Sequence, residues 1–236
     1  ADVPKSLLIV GGGYIGLELG SVYAALGSEV SVVEMTGTLL PGCDRDLVSQ
    51  LKRRLDKQFS AIMLNTKVLE LKEQKNGVSV KLEDKKGEVS TKRFAKVLIS
   101  IGRRPNTENL GLEKAGIELD DKGFVVVDGQ RRTAHSKVFA IGDIAGEPML
   151  AHKAYAEAHV AAETAAGLPA VYDPRAIPAV VFTDPEIAWC GLTETEARDR
   201  KIKIKAVKLP WRGVGRNLTL GREDGLTKLI IDPETE

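Results

Sequence analysis

Gly11, Gly13 and Gly16 stand in a G-x-G-x-x-G spacing, and the acid Glu34 follows 18 residues after the last of them. Residues 5–10 before this triplet form an apolar run, which reads as a buried strand, and a helical pattern follows it. In that setting each glycine has a task. The first permits a tight turn, the second removes a side chain that would block a diphosphate, and the third lets helix and strand approach closely. Amides at the helix start then offer donors and positive potential to phosphates. Glu34 suits an adenosine ribose with free 2′ and 3′ hydroxyls, and its charge would repel a 2′-phosphate. No basic residue lies between Glu34 and Arg45. The chemistry indicated is binding of NAD rather than NADP. A glycine triplet alone is a weak signal, but with strand, helix and acid in place it is a strong one.

Other candidates stay open on the residues alone. Glu18 lies one helical turn from Tyr14 and on the residues alone reads first as a satisfied surface carboxylate. Gly102-Arg103-Arg104-Pro105-Asn106 follows a buried strand. Glycine at the carboxyl end of such a strand either lines a ligand crevice or simply leaves the strand. Asp143, after Ile141-Gly142, either caps a turn or binds a hydroxyl of a polyol chain. The helix that starts near Met149 could turn free amides toward a ligand oxygen, with His152 in its first turn.

The elements that must position these residues follow from periodicity. Ile15, Leu19, Val22 and Leu26 recur at helical spacing until Gly27, which predicts a helix stopped there. Residues 29–34 give a second strand, and Asp44 is expected to cap a charged amphipathic helix to about Phe59. Strand, helix and strand in this order predict a parallel pair. From Thr66 to Phe94 the period becomes two, with Asn76-Gly77 as a tight turn, so an antiparallel meander is expected. Residues 97–101, 124–127 and 138–141 read as further buried strands, the last two resuming the parallel type. Residues 149–166 read as a helix stopped by Gly167-Leu168-Pro169. From Ile177 onward a separate α+β unit is expected, with a capping box at Thr193 to Glu196. Residues 226–231 read as a strand with no partner after it, which suggests a piece of a longer chain.

Composition narrows the function classes. The chain has 236 residues, 43% hydrophobic and 28% charged, with 34 basic against 33 acidic residues. A formal charge of +1 disfavours charge-driven nucleic-acid binding. No apolar stretch approaches the roughly 20 residues of a membrane-spanning helix. Cys43 and Cys190 form no disulfide framework or metal-ligand spacing, so both thiols are read as structural, and with no export leader visible an intracellular chain is expected. The Lys52-Arg53-Arg54 cluster reads as a solvated helix face.

Five ordered blocks together resemble the flavin-dependent disulfide reductases. They are Gly11-Gly12-Gly13-Tyr14-Ile15-Gly16-Leu17-Glu18, Gly102-Arg103-Arg104-Pro105-Asn106, Val138-Phe139-Ala140-Ile141-Gly142-Asp143, Met149-Leu150-Ala151-His152-Lys153-Ala154 and Thr183-Asp184-Pro185-Glu186-Ile187-Ala188. The Met149 block resembles the branch that oxidises dihydrolipoamide rather than glutathione or mercuric reductases. The resemblance implies an α/β fold. Its parts are a doubly wound Rossmann-type NAD-binding domain with an inserted meander (1–110), a central FAD-contacting segment (111–175) and a truncated dimer-interface domain (176–236).

The resemblance also implies site roles. Gly11, Gly12, Gly13, Ile15, Gly16 and Glu34 would hold NAD, with Val68 and Gly102 toward its adenine and ribose, and Arg103 would also contact a cofactor. Tyr14 and Glu18 would lie near the nicotinamide, Tyr14 gating access to the flavin. Asp143 would hydrogen-bond the ribityl chain of FAD, and the helix entry at Met149, Leu150, Ala151 and His152 would face its pyrimidine edge. The implied cofactors are NAD and FAD. The implied partners are dihydrolipoamide, carried on a lipoyl domain of a 2-oxo acid dehydrogenase complex, and a second copy in a homodimer. The compartment would be the cytoplasm, or the mitochondrial matrix in a eukaryote. The family's redox Cys-x-x-x-x-Cys pair and its His-x-His-Pro base are absent from these residues, and His135, His152 and His159 lie in the wrong context for that base. No catalytic residue is therefore assigned, and a non-catalytic NAD-binding fragment or sensor, or another disulfide reductase, stands as the alternative.

Overall fold

The computed structural model describes residues 2–235. The elements in chain order are β1 (Ser6–Val10), α1 (Tyr14–Ala25), β2 (Glu29–Val33), α2 (Arg45–Gln58), β3 (Ala61–Met63), β4 (Lys67–Gln74), β5 (Gly77–Glu83), β6 (Val89–Phe94) and β7 (Lys96–Ile99). They continue with α3 (Ala151–Ala165), β8 (Ala179–Val181), β9 (Ile187–Trp189), α4 (Glu194–Asp199), β10 (Lys205–Pro210), α5 (Gly215–Thr219) and β11 (Leu226–Ile231). Two compact units result, one of residues 1–101 with 180–236 and one of residues 102–179.

The first unit is built on a parallel sheet of order β3-β2-β1-β7. Alternation along the strands divides their side chains between two faces. Leu7, Ile9, Val30 and Val32 pack with Leu17 of α1 and with Val48, Leu51 and Leu55 of α2. Leu8 and Val33 point the other way and pack with Val80, Leu82 and Phe94 of the antiparallel sheet β4-β5-β6. The α/β class and the parallel strands hold, with the meander occupying the second face. Its first hairpin pairs Gln74 with Gly77, so the two-residue turn is Lys75-Asn76, one residue earlier than predicted, and Gly77 already belongs to the strand.

The buried face of α1 is not its apolar stripe. Gly16, Leu17 and Gly20 are buried, whereas Leu19, Val22 and Leu26 are exposed. The two glycines explain the rotation. A Cβ on Gly20 would meet Ile9 Cδ1 at 2.6 Å and Phe59 Cζ at 3.0 Å, so the helix rests on the sheet by its smallest residues.

Asp44 occupies the N-cap position of α2 but makes no cap with its side chain. Its carboxylate instead accepts the amides of Glu194 (3.0 Å) and Thr195 (3.2 Å) at the start of α4, and the Lys228 ammonium at 2.6 Å. The predicted capping box is present, Thr193 and Glu196 bonding each other's amides. The strand at residues 226–231 does have a partner: β11 pairs antiparallel with β10, placing Lys228 opposite Lys208. Two lysines facing each other need anions. Lys228 reaches Asp44, Asp46 and Glu194 within 2.8 Å, and Lys208 reaches Asp46 and Glu194 within 3.0 Å.

In the second unit, residues 124–127 and 138–141 are not parallel strands. They make only isolated antiparallel bridges, Leu119 with Val125 and Arg132 with Phe139. Asx turns at Asp120 and Asp128 fold this segment back on itself, so its amides find turn carbonyls such as Ile144 for Val125 and Arg131 for Ala140. Ile117, Val125 and Ala140 form its small core. Of the two thiols, Cys43 is buried, and burial pushes it up to about 11, whereas Cys190 is exposed rather than packed.

Burial alone would push the Asp44 carboxyl up, but hydrogen bonds from Lys228 and the amides of Glu194 and Thr195 outweigh it and bring it down to about 2. An unfolded aspartate titrates near about 3.9. The stabilisation is therefore full above about pH 4 and is lost as pH falls toward 2, a change on the order of 2 kcal/mol. Urea unfolding at a series of pH values from 2 to 6 checks this. Asp44→Asn should be less stable at pH 6 and should lose correspondingly less on acidification, and a variant curve parallel to the unaltered protein would contradict the assignment.

Candidate functional site

In the parallel pairing of β1 with β2, Val10 stands opposite Val33, so Gly11 and Glu34 leave the two carboxyl ends side by side. Chain order reverses at β1, because β2 and β3 lie to one side and β7 to the other. A crevice opens at such a switch point. The glycine turn occupies it closely. A Cβ on Gly11, at φ +108°, or on Gly16 would fall within 2.6 Å of Ser100, the residue after β7. Gly13 is different: a Cβ there would meet nothing within 4 Å. Space is therefore open directly before α1, whose N-terminus carries no side-chain cap. Its first amides have no partner within the helix.

Glu34 spans this turn. Gly12 N–H donates to Glu34 Oε2 at 2.7 Å and Thr36 N–H to Oε1 at 2.7 Å, fixing the carboxylate beside the open space. Each oxygen retains acceptor capacity. Gly11, Gly12, Gly13, Gly16 and Glu34 are thus gathered in one cradle, with Tyr14 exposed and Ile15 half-buried at the helix start. Glu18, one helical turn into α1, accepts Phe182 N–H through Oε1 at 2.8 Å. Val68 is half-buried and packs on the core between sheet and meander, beside an irregularity in β4.

In the second unit, Gly142 begins a single 3-10 turn, Gly142–Ile144, that presents Asp143 half-exposed. Arg103 pairs with the Asp143 carboxylate and donates to the Met149 carbonyl at 2.9 Å. Arg103, Asp143 and Met149 are therefore brought together across 40 and 46 positions, a link with no local signal in the sequence. Leu150 is the N-cap of α3 and supplies no side-chain cap, so the amides of Ala151 and His152 have no partner within the helix. The His152 ring contacts the Pro178 carbonyl at 2.6 Å. Gly102 has φ +141°, a backbone that favours glycine, with open space at its Cα.

Two charged clusters went unseen in the sequence. One joins Asp44, Asp46 and Glu194 to Lys208 and Lys228, across as many as 184 positions. The other is local: Lys153 and Glu157, four apart on α3, are both buried and share a carboxylate oxygen with Arg131. Their i, i+4 spacing among alanines was the available signal.

The donor sets match the groups expected. A diphosphate needs open amides without a side chain in the way, and Gly13 with α1 provides them. A ribose diol needs a fixed acceptor, and Glu34 is one. A polyol chain needs an accessible acceptor, and Asp143 is one beside the α3 entry.

Comparison with known proteins gives the family. The family described as pyridine nucleotide-disulphide oxidoreductase matches residues 1–158, and its dimerisation domain matches residues 177–236. Dihydrolipoyl dehydrogenase of Vibrio parahaemolyticus is 47% identical, the match covering 99% of this chain and 49% of the relative. That of Geobacillus stearothermophilus is 45% identical over the same shares. Among solved structures, the HOCl-induced flavoprotein disulfide reductase RclA of Escherichia coli, as its Cu(II) complex, superimposes with a TM-score of 0.88 at 30% identity, over 99% of this chain and 52% of RclA. The chain spans about half the length of the curated relatives it matches.

Two glycine variants separate the turn's structural and ligand roles. Gly16→Ala forces a Cβ to 2.5 Å from the Gly11 carbonyl oxygen, and overpacking of this kind costs about 1–3 kcal/mol in urea unfolding. Gly13→Ala has an extended backbone and open space. It should unfold within about 0.5 kcal/mol of the unaltered protein yet bind NADH about 10-fold or more weaker in a fluorescence titration. Unchanged NADH binding by Gly13→Ala would remove the diphosphate from this turn.

Proposed function

Because the chain belongs to the pyridine nucleotide-disulphide oxidoreductase family, we propose that it is the NAD-binding, flavin-contacting and first dimer-interface portion of a dihydrolipoyl dehydrogenase. The observation that carries this reading is the Glu34 carboxylate tied to the Gly12 amide at the mouth of the glycine turn. Identities of 40–47% to enzymes of that name support it over other disulfide reductases, of which RclA is 30% identical.

On this reading residues 1–110 bind NAD, residues 111–175 contact FAD and residues 176–236 begin the interface of a homodimer. Bound FAD and NAD supply the two-electron redox chemistry, which no side chain here can perform alone. The chain's own residues bind and orient. Glu34 accepts from the adenosine ribose hydroxyls, and the amides that open α1 hold the diphosphate, which the missing Cβ of Gly13 admits. Tyr14 and Glu18 lie toward the nicotinamide end, and Val68 with Gly102 toward the adenosine. Asp143 accepts from a ribityl hydroxyl, and Arg103 holds the turn against Met149 at the entry to α3. The uncapped amides there favour negative charge on a ligand edge.

The redox disulfide and the catalytic base lie on residues beyond these 236. The substrate is dihydrolipoamide carried on a lipoyl domain of a 2-oxo acid dehydrogenase complex, and the compartment is the cytoplasm. No helix among the described residues is long and apolar enough to cross a membrane.

Titration with NADH and with NADPH tests the reading. NADH should bind at least about 10-fold tighter, because charged hydrogen bonds contribute about 1.5–3 kcal/mol and the 2′-phosphate meets a fixed negative charge. Glu34→Gln keeps an acceptor for Gly12 and removes the charge, so it should narrow the preference chiefly by improving NADPH. Equal or tighter binding of NADPH by the unaltered protein would refute the ribose role of Glu34.

A further inference from the structure

The second unit buries a charged network that the binding roles above leave unused. Glu157 and Lys153 have side chains 0% and 3% exposed, and Arg131 only 12%. Buried ion clusters give little net stability compared with well-packed apolar residues, so their partners matter more than their presence. Glu157 Oε1 accepts from Arg131 and from Lys153, each at 3.0 Å. Glu157 Oε2 accepts the Gly142 N–H at 2.6 Å, and Lys153 Nζ donates to the Gly142 carbonyl at 3.2 Å. The two residues thus grip Gly142 on both sides, by the peptide that enters it and the peptide that leaves it.

Gly142 is the hinge of the turn that carries Asp143. Its φ of +75° is a backbone that other residues avoid, and a Cβ there would press on Ala154 at 3.2 Å. With φ set by the turn and both peptides held, the backbone from which Asp143 projects is fixed, and Arg103 then holds its carboxylate from the other side. We propose that Glu157 and Lys153 are positioning residues that clamp the Gly142 peptides and so aim the Asp143 carboxylate at the ribityl hydroxyl of FAD. This rests on the flavin reading of Asp143 given above. Glutamine cannot replace Glu157 in the clamp. It has one acceptor oxygen where Arg131, Lys153 and Gly142 N–H need two, and its NH₂ would face a donor.

A double-mutant cycle on the complete FAD-containing protein tests the proposal, with the FAD dissociation constant of the reconstituted apoprotein as readout. Asp143→Asn should raise that constant about 10-fold. Glu157→Gln should raise it about 5- to 10-fold in the unaltered background but less than about 2-fold beside Asp143→Asn, because its effect passes through Asp143. Amide hydrogen exchange over residues 140–145 should quicken in Glu157→Gln, which reports the released clamp without reference to activity. Equal factors in both backgrounds, or no change in FAD binding by Glu157→Gln, would overturn the proposal. The Asp143→Asn arm reports on the flavin reading alone: no effect there removes that reading and the proposal with it. Should Glu157→Gln not fold, Lys153→Met carries the same cycle. It leaves the Glu157 bonds to Arg131 and Gly142 in place, and a 2- to 5-fold loss that vanishes beside Asp143→Asn is expected.

Discussion

The hydrogen bond from the Gly12 amide to the Glu34 carboxylate depends on three independent features of the fold. The parallel register of β1 with β2 sets the two strand ends level. Gly11 adopts a left-handed backbone that turns the chain toward β2 rather than past it. Gly16 and Gly20 let α1 settle on the sheet, so that its open N-terminus lies beside the same carboxylate. A shift of one residue in register would reverse which side chains face each side of the sheet and would separate Gly11 from Glu34. The cradle is therefore a consequence of the sheet and not of the loop alone.

Core patterning anchors this register from both faces. Leu7 and Ile9 pack toward the helices, while Leu8 packs toward the meander, so β1 is buried on both sides. The remaining portion of the first unit is tied to α2 by Asp44, which leaves its own helix uncapped to bond the start of α4 and Lys228. One carboxylate thereby joins the start of α2 to the segment matched by the family's dimerisation domain.

Much of this was legible in the sequence where the signal is local. The glycine spacing, the acid at Glu34, the two-residue period of the meander and the Thr193 capping box each specify a neighbour within a few residues or one crossover. The misreadings share a physical cause, which is that pattern reports what is apolar and not what fits. Leu19, Val22 and Leu26 formed the more hydrophobic stripe of α1, yet the close approach needed at Ile9 selected Gly16 and Gly20. Asp44 had the residue type and position of a cap, and partners 150 and 184 positions away took its carboxylate. The runs at 124–127 and 138–141 had strand composition, but their amides bond carbonyls of turns, Ile144 for Val125 and Arg131 for Ala140, in place of a strand ladder. The buried Glu157 was signalled only by its i, i+4 spacing from Lys153, which exposed helix pairs share.

A crystal structure with NADH bound tests the central claim most directly. The account predicts adenosine ribose hydroxyls at hydrogen-bond distance, about 3 Å, from the Glu34 carboxylate, with the diphosphate on the amides that open α1. A ribose bound away from Glu34, or a diphosphate held by side chains elsewhere while the space at Gly13 stays empty, would contradict it.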